Sequence, residues 1–315
     1  MNNKKWLICL LSITMLTIPV KSQELTNNEI THLSIQRLND SYIDVYHNPP
    51  LLDSMPILIF CQGSGYDSNT EGFLGLIRQF EDKVVGLAIE KEGVRLGDKG
   101  DSLSVAYVNN NVIHNRLYDY LRVLQHLREN ATWWNKEIYI IGGSEGGLLA
   151  GMLASYYPDV RALSIFSFGG GLTFGEAWPL AIGKQAKAEG HTEEEIANRI
   201  KNVTDSLELI KQEPTFFKSY SGEDNTYAWW NSIMDLRLEN CLLDLNIPIL
   251  LVQGTEDLMV PIISARTLDN SFQKAGKKNL LYKEYEGYNH SYIDKKGQSH
   301  LVEVITESIH WMLKN

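Results

Sequence analysis

Short, nearly continuous apolar runs punctuate the chain at residues 56–61, 84–90, 137–141, 161–168, 248–252 and 280–285. Runs of that length, bounded by polar and turn-forming residues, predict strands buried on both faces. Residues 41–47 predict an earlier strand at the sheet edge. Between the runs the period changes to that of a helix. Leu117, Leu121, Leu124 and Leu127 recur within residues 112–128, and residues 146–157 are rich in Ala, Leu and Met. Leu301, Ile305, Ile309 and Met312 place one apolar stripe on a final helix. Strands buried on both faces and alternating with helices predict an α/β fold, with a mostly parallel central sheet flanked by helices.

Residues 172–240 break this alternation, because no clear strand lies within them. Thr192 followed by Glu195 is a capping-box signature, and Ile196, Ile200, Val203, Leu207 and Ile210 then recur at helical spacing. The segment predicts a helical cap inserted into the sheet domain. Its aromatic residues Trp178, Phe216, Phe217, Tyr220, Trp229 and Trp230 form either the core of that cap or the wall of a substrate pocket. Both readings can hold for different residues.

The first residues change the picture of where the domain starts. Lys4 and Lys5 precede an apolar stretch over residues 6–20, and Val20 and Ser22 lie ahead of Gln23, so residues 1–22 read as a signal peptide. A stretch of roughly 15 residues falls short of the about 20 needed to span a bilayer. Cleavage is therefore expected, with an uncleaved membrane anchor as the alternative, and leaves residues 23–315 as one secreted or periplasmic domain without stable membrane insertion. The formal net charge is −10, and removal of the leader's three lysines, with no acid lost, takes it to −13. That balance argues against nucleic acid or anionic membranes as partners and says nothing about a small substrate. Cys61 ends an apolar strand and Cys241 lies in a helical stretch, so both are expected as buried free thiols. No CxxC pair, HExxH or spaced His/Cys cluster occurs, so neither a metal nor a cofactor is indicated.

The chemistry concentrates where residues 138–141 run into Gly142-Gly143-Ser144-Glu145-Gly146-Gly147 and then into a helical stretch. A G-x-S-x-G pattern has meaning in this strand–turn–helix setting, because the sharp turn lifts the serine hydroxyl above the sheet at a helix N-terminus. Flanking glycines leave room for strand and helix to approach. The Glu145 N–H then points toward a developing oxyanion, and the helix dipole favours its charge. A glycine-rich turn without catalysis is the alternative on the motif alone.

A serine hydroxyl needs a base, and the base needs a supporting acid. Asp257 lies past the 248–252 strand in Gly254-x-x-Asp257-x-x-Val260-Pro261, whose proline opens the next helix, and is preferred to Glu256. His290 sits on the loop before the final helix, whereas His300, at that helix's start, is expected to be solvated. Ser144, Asp257 and His290 thus follow in order at the C-terminal edge of the sheet. The second oxyanion donor is expected from Gln62-Gly63-Ser64-Gly65, through the N–H of Ser64 or Gly65, with the Gln62 side chain bracing the loop.

From about residue 41 onward this constellation resembles the α/β-hydrolase superfamily. The GGSEGG elbow and the GTEDLMVP loop are similar to those of prolyl oligopeptidase-like and dienelactone-hydrolase-like serine hydrolases. The resemblance implies acyl transfer to water, with Ser144 as nucleophile, His290 as base, Asp257 as acid and a cap between the sixth and seventh core strands. An ester is the first expectation and a short peptide or amide the second; thioester hydrolysis or acyl transfer would use the same residues. A non-catalytic binding protein on a hydrolase fold is the reading from another class. Glu90, Glu92 and Glu145 either hold a substrate amine or, as expected, are surface acids.

Overall fold

The computed structural model describes residues 30–220 and 225–315. The strands are β1 (Thr31–Gln36), β2 (Tyr42–His47), β3 (Met55–Cys61), β4 (Val85–Ile89), β5 (Trp134–Gly143), β6 (Val160–Phe166), β7 (Ile249–Gly254) and β8 (Leu280–Tyr285). They form one sheet in the order β1-β2-β4-β3-β5-β6-β7-β8. β2 runs antiparallel to both its neighbours, and every other pairing is parallel. The helices are α1 (Thr70–Ile77), α2 (Val105–Asn110), α3 (Ile113–Asn130), α4 (Glu145–Tyr156), α5 (Phe174–Ala188), α6 (Glu193–Gln212), α7 (Tyr227–Ile233), α8 (Leu238–Asp244), α9 (Ile262–Lys274) and α10 (Leu301–Met312).

Side chains alternate across each strand, so one run of apolar residues feeds two cores. On β3, Ile57, Ile59 and Cys61 join the core that holds Leu124 of α3, Leu149 of α4 and Leu268 of α9. Leu58 and Phe60 point the other way, into the core built with Phe73 of α1 and Ile305 of α10. This double burial explains why the central strands read as continuous apolar runs and not as alternating ones.

The edge of the sheet differs from expectation. β1, not the 41–47 segment, is the outer strand, and β2 is covered on both sides. Only Ile35 of β1 is buried, so its sequence carries too weak a period-two signal to stand out. Cys61 is buried and free as expected; Cys241 is free but only half-buried.

Helices α5 to α8 fill the connection between β6 and β7 and reach Asp244, a little beyond residue 240. The Thr192–Glu195 capping box forms at the start of α6, and a second, Thr173 with Glu176, opens α5. Trp178, Trp229 and Trp230 are buried in the core, whereas Phe217 is 97% exposed. Among the described residues, no helix is long and apolar enough to cross a membrane. The proposed leader lies outside the described residues.

Candidate active site

Ser144 stands between β5 and α4 with φ 52° and ψ −130°, a region that a residue with a side chain occupies only under strain, at a cost of roughly 1–3 kcal/mol. Its N–H donates to the Phe166 carbonyl at 3.0 Å, and its own carbonyl accepts from Gly147 at 2.8 Å. The flanking glycines are demanded by contact. A Cβ on Gly142 would lie 2.1 Å from the Gly146 carbonyl oxygen, and one on Gly146 would lie 2.0 Å from that of Cys61. The elbow is therefore clamped between its own helix and the end of β3.

Asp257 follows β7 and is wholly buried. Oδ1 accepts the N–H groups of Met259 and Val260, both at 2.8 Å. Oδ2 accepts from Gln253 Nε2 at 2.7 Å and pairs with His290 Nδ1 at 2.8 Å. A carboxylate only accepts, so Nδ1 carries the hydrogen and Nε2 is left as the acceptor. Burial disfavours the imidazolium, but the charge and hydrogen bond of Asp257 outweigh it, and His290 titrates above the ordinary histidine value. Glu256 is exposed and faces Lys295 at 3.7 Å. His300 is half-buried: it stacks on Tyr288 at 4.6 Å and lies 3.4 Å from Asp294 and 3.2 Å from Glu303.

The loop after β3 packs beside the elbow. A Cβ on Gly63 would be 3.6 Å from that of Ser144. Gln62 is fully buried, and its amide nitrogen donates to the Ile89 carbonyl at 3.3 Å and to Glu90 at 3.2 Å, bracing the loop. Ser64 faces the cavity described below, whereas Gly65, at φ 94°, is not among its lining residues and turns its carbonyl to the Lys91 ammonium. Burial and the charge of Arg116 push Lys91 down to about 8, against the pull of Glu145, Asp67 and Glu90.

Glu90 and Glu145 are not surface acids. They are 2% and 3% exposed. Glu90 accepts from Ser68 at 2.5 Å, and burial, opposed by its hydrogen bonds, raises its pKa. Glu145 accepts from Arg116 Nη1 at 2.6 Å and from the Trp229 indole at 3.0 Å. Glu92 lies 3.7 Å from the Arg37 guanidinium.

Ser64, Ser144, Glu145 and His290 line one cavity of about 30 Å³. Asn225 adds a polar group, and Phe174, Trp178, Trp229, Trp230, Met259 and Val260 supply the apolar wall. Space of that size holds a water or two. A neighbouring cavity of about 10 Å³ shares Phe174, Trp178, Met259 and Val260, so these four residues partition the two. Among the described residues, no group of three or more His, Cys, Asp or Glu side chains is arranged to hold a metal ion.

Some supporting residues were not picked out from sequence. The Ser167 hydroxyl donates to the His290 carbonyl at 2.8 Å, and the buried Tyr292 phenol donates to the Val252 carbonyl at 3.0 Å. Both anchor the histidine loop to the sheet. Lys184 on α5 donates to the Asp257 carbonyl at 2.9 Å, tying the cap to the acid loop. Arg116 carried a visible signal: it falls between Ile113 and Leu117 on the buried stripe of α3, where a charge requires a partner. For the others the contact partner lies too far along the chain for any local pattern.

No protein-family model and no curated protein sequence matches the chain. Solved structures do. A Bacteroides ovatus protein assigned as dipeptidyl aminopeptidase IV superposes with a TM-score of 0.61 at 11% identity, over 91% of this chain and 36% of its own. The acylaminoacyl peptidase of Pyrococcus horikoshii gives 0.59 at 13% identity, over 90% of this chain and 41% of its own. Est1E from Butyrivibrio proteoclasticus, with ferulic acid bound, gives 0.58 at 16% identity, over 90% of this chain and 98% of its own. The chain thus spans well under half of either peptidase and nearly all of Est1E. Strand order, the single antiparallel inner strand, the strained serine turn after β5 and these superpositions agree: the chain has the α/β-hydrolase fold.

Proposed function

We propose that the protein is a serine hydrolase that cleaves an ester of an uncharged, apolar acyl group through a Ser144–His290–Asp257 triad. The observation that carries this reading is the 2.8 Å pairing of His290 with buried Asp257, with His290 and the strained Ser144 facing one cavity. In the proposed reaction His290 Nε2 takes the Ser144 proton as Oγ attacks the acyl carbon. Asp257 holds the ring and stabilises its cationic form. The N–H groups of Glu145 and Ser64 receive the oxyanion, a stabilisation of about 3–4 kcal/mol per donor. The imidazolium then protonates the leaving alcohol, and water activated by the same nitrogen releases the acid and restores Ser144.

An ester is favoured over an amine-bearing peptide by the state of the acids. Both carboxylate oxygens of Glu145, the acid on the cavity wall, already accept hydrogen bonds. The Arg116 guanidinium offsets the Glu145 charge and so weakens its pull on a substrate ammonium, and Phe174, Trp178, Trp229 and Trp230 form much of the remaining wall. Est1E holds ferulic acid, and an aromatic acyl group suits a wall of Phe174, Trp178, Trp229 and Trp230. The likeness to peptidases keeps N-blocked short peptides as the second reading. Export through residues 1–22 belongs to the same proposal and rests on sequence alone.

Turnover of a panel of p-nitrophenyl esters, aliphatic and aromatic, beside free and N-acetylated aminoacyl naphthylamides tests the assignment. Ester cleavage lost in Ser144→Ala supports it. Preference for the amides moves the protein to the peptidases, and no turnover of either set leaves a binding protein on a hydrolase fold.

A further inference from the structure

Two segments remote in sequence meet at the cavity: Ser64, on the loop after β3, and Ser144-Glu145 at the elbow. One side chain holds both. Arg116 on α3 donates through Nη1 to Glu145 Oε1 at 2.6 Å and through Nη2 to the Gln62 carbonyl at 2.5 Å. The peptide between Gln62 and Gly63 is planar, so a guanidinium on the Gln62 carbonyl fixes the plane of the peptide one residue ahead of the Ser64 N–H, the donor proposed above. Glu145 contributes its own N–H at the first position of α4 while its side chain grips the guanidinium. The remaining carboxylate oxygen accepts from the indole of Trp229, which sits on α7 of the cap and lines the cavity.

Arg116 is 5% exposed. Burying such a pair gives little net stability against a well-packed apolar substitute, so stability is a weak reason for this arrangement. Geometry is a better one, because the fork of a guanidinium can address two acceptors at a fixed separation and an ammonium cannot.

We propose that Arg116 is the positioning residue of the oxyanion hole: it sets the spacing between its two donor segments, and Trp229 makes that spacing depend on a seated cap. This rests on the serine hydrolase reading given above. A hydrogen-bond donor displaced from the oxyanion loses most of its effect on the transition state while leaving ground-state binding nearly unchanged.

The test compares ester hydrolysis and the affinity for an alkyl boronic acid, which forms a tetrahedral adduct with the serine, in wild type, Arg116→Met, Arg116→Lys and Trp229→Phe. Arg116→Met lowers kcat on the order of 10²-fold. Boronate affinity falls in parallel, and KM stays close to wild type. Arg116→Lys, which reaches one acceptor, lies between the two. Trp229→Phe keeps the ring, loses the N–H and shows the same signature at smaller amplitude. If Arg116→Met does not fold, the comparison is read from the other two variants. Unchanged kcat and boronate affinity with only a lower melting temperature would make Arg116 a structural prop and overturn the proposal, as would a rise in KM alone. Wild-type protein without serine-dependent turnover overturns the hydrolase reading and this one with it. Normal wild-type turnover with unaffected variants overturns this one alone.

Discussion

Asp257 is held by Met259, Val260, Gln253 and His290 at once, which suits it to the role proposed for it, to orient the imidazole and stabilise its charge. The proposed base works only when neutral, and the carboxylate raises its pKa above 6.5. Activity should therefore rise on an acid limb whose midpoint lies above 6.5, the ordinary histidine value. Asp257→Asn removes the charge and leaves burial to act, so the midpoint moves down while kcat falls about 10⁴-fold. A pH profile of kcat/KM for both proteins checks this; an unmoved midpoint contradicts it. The linkage runs opposite to activity. A folded pKa above the unfolded one adds stability that is present below the unfolded value and disappears as pH rises through the folded one. The His290–Asp257 pair thus stabilises the fold most at the low pH where the proposed base is protonated. At this scale loop position and chain order were enough to bring Ser144, Asp257 and His290 forward as candidates; the structure pairs His290 with Asp257 and puts Ser144 and His290 on one cavity. The sequence was misleading for Glu90 and Glu145, whose burial depends on partners such as Arg116 and Trp229 that only folding brings near.

At the scale of elements, the serine turn and the helices between β6 and β7 form the surroundings of the cavity. Gly146→Ala places a methyl group 2.0 Å from a carbonyl oxygen of β3, with backbone on both sides and little to give way. Its expected cost is roughly 3 kcal/mol. Urea unfolding reads this directly, and a loss below about 1 kcal/mol would mean that α4 and β3 are not clamped as described. The cap makes a different prediction. Trp178 is 8% exposed and stands between the two cavities. Trp178→Ala should merge them, raising kcat/KM for longer acyl chains relative to short ones by on the order of tenfold. An unchanged chain-length preference in the ester panel would show that the acyl group lies elsewhere. The helical character of this segment and the α6 capping box were legible from periodicity and from Thr192 and Glu195. Which of its aromatics face the site was not, since Trp229 and Phe217 differ only in what they pack against.

Across the whole molecule, the continuous apolar runs gave the central strands because the sheet is covered on both faces. β1 escaped notice because it is covered on few of its positions. The strand order places the ends of β5, β7 and β8 along one edge of the sheet, and residues separated by more than a hundred positions meet there. The cavity beneath the cap holds a water or two. The central claim is that Ser144 is an activated nucleophile in this setting, and it can be tested without knowing the natural substrate. The protein is treated with a fluorophosphonate at neutral pH and mapped by peptide mass spectrometry. One phosphonate on Ser144, absent from Ser144→Ala and strongly slowed in Asp257→Asn, is the result expected. An unlabelled Ser144 in folded protein, or a label on another residue that persists in Ser144→Ala, would contradict the account.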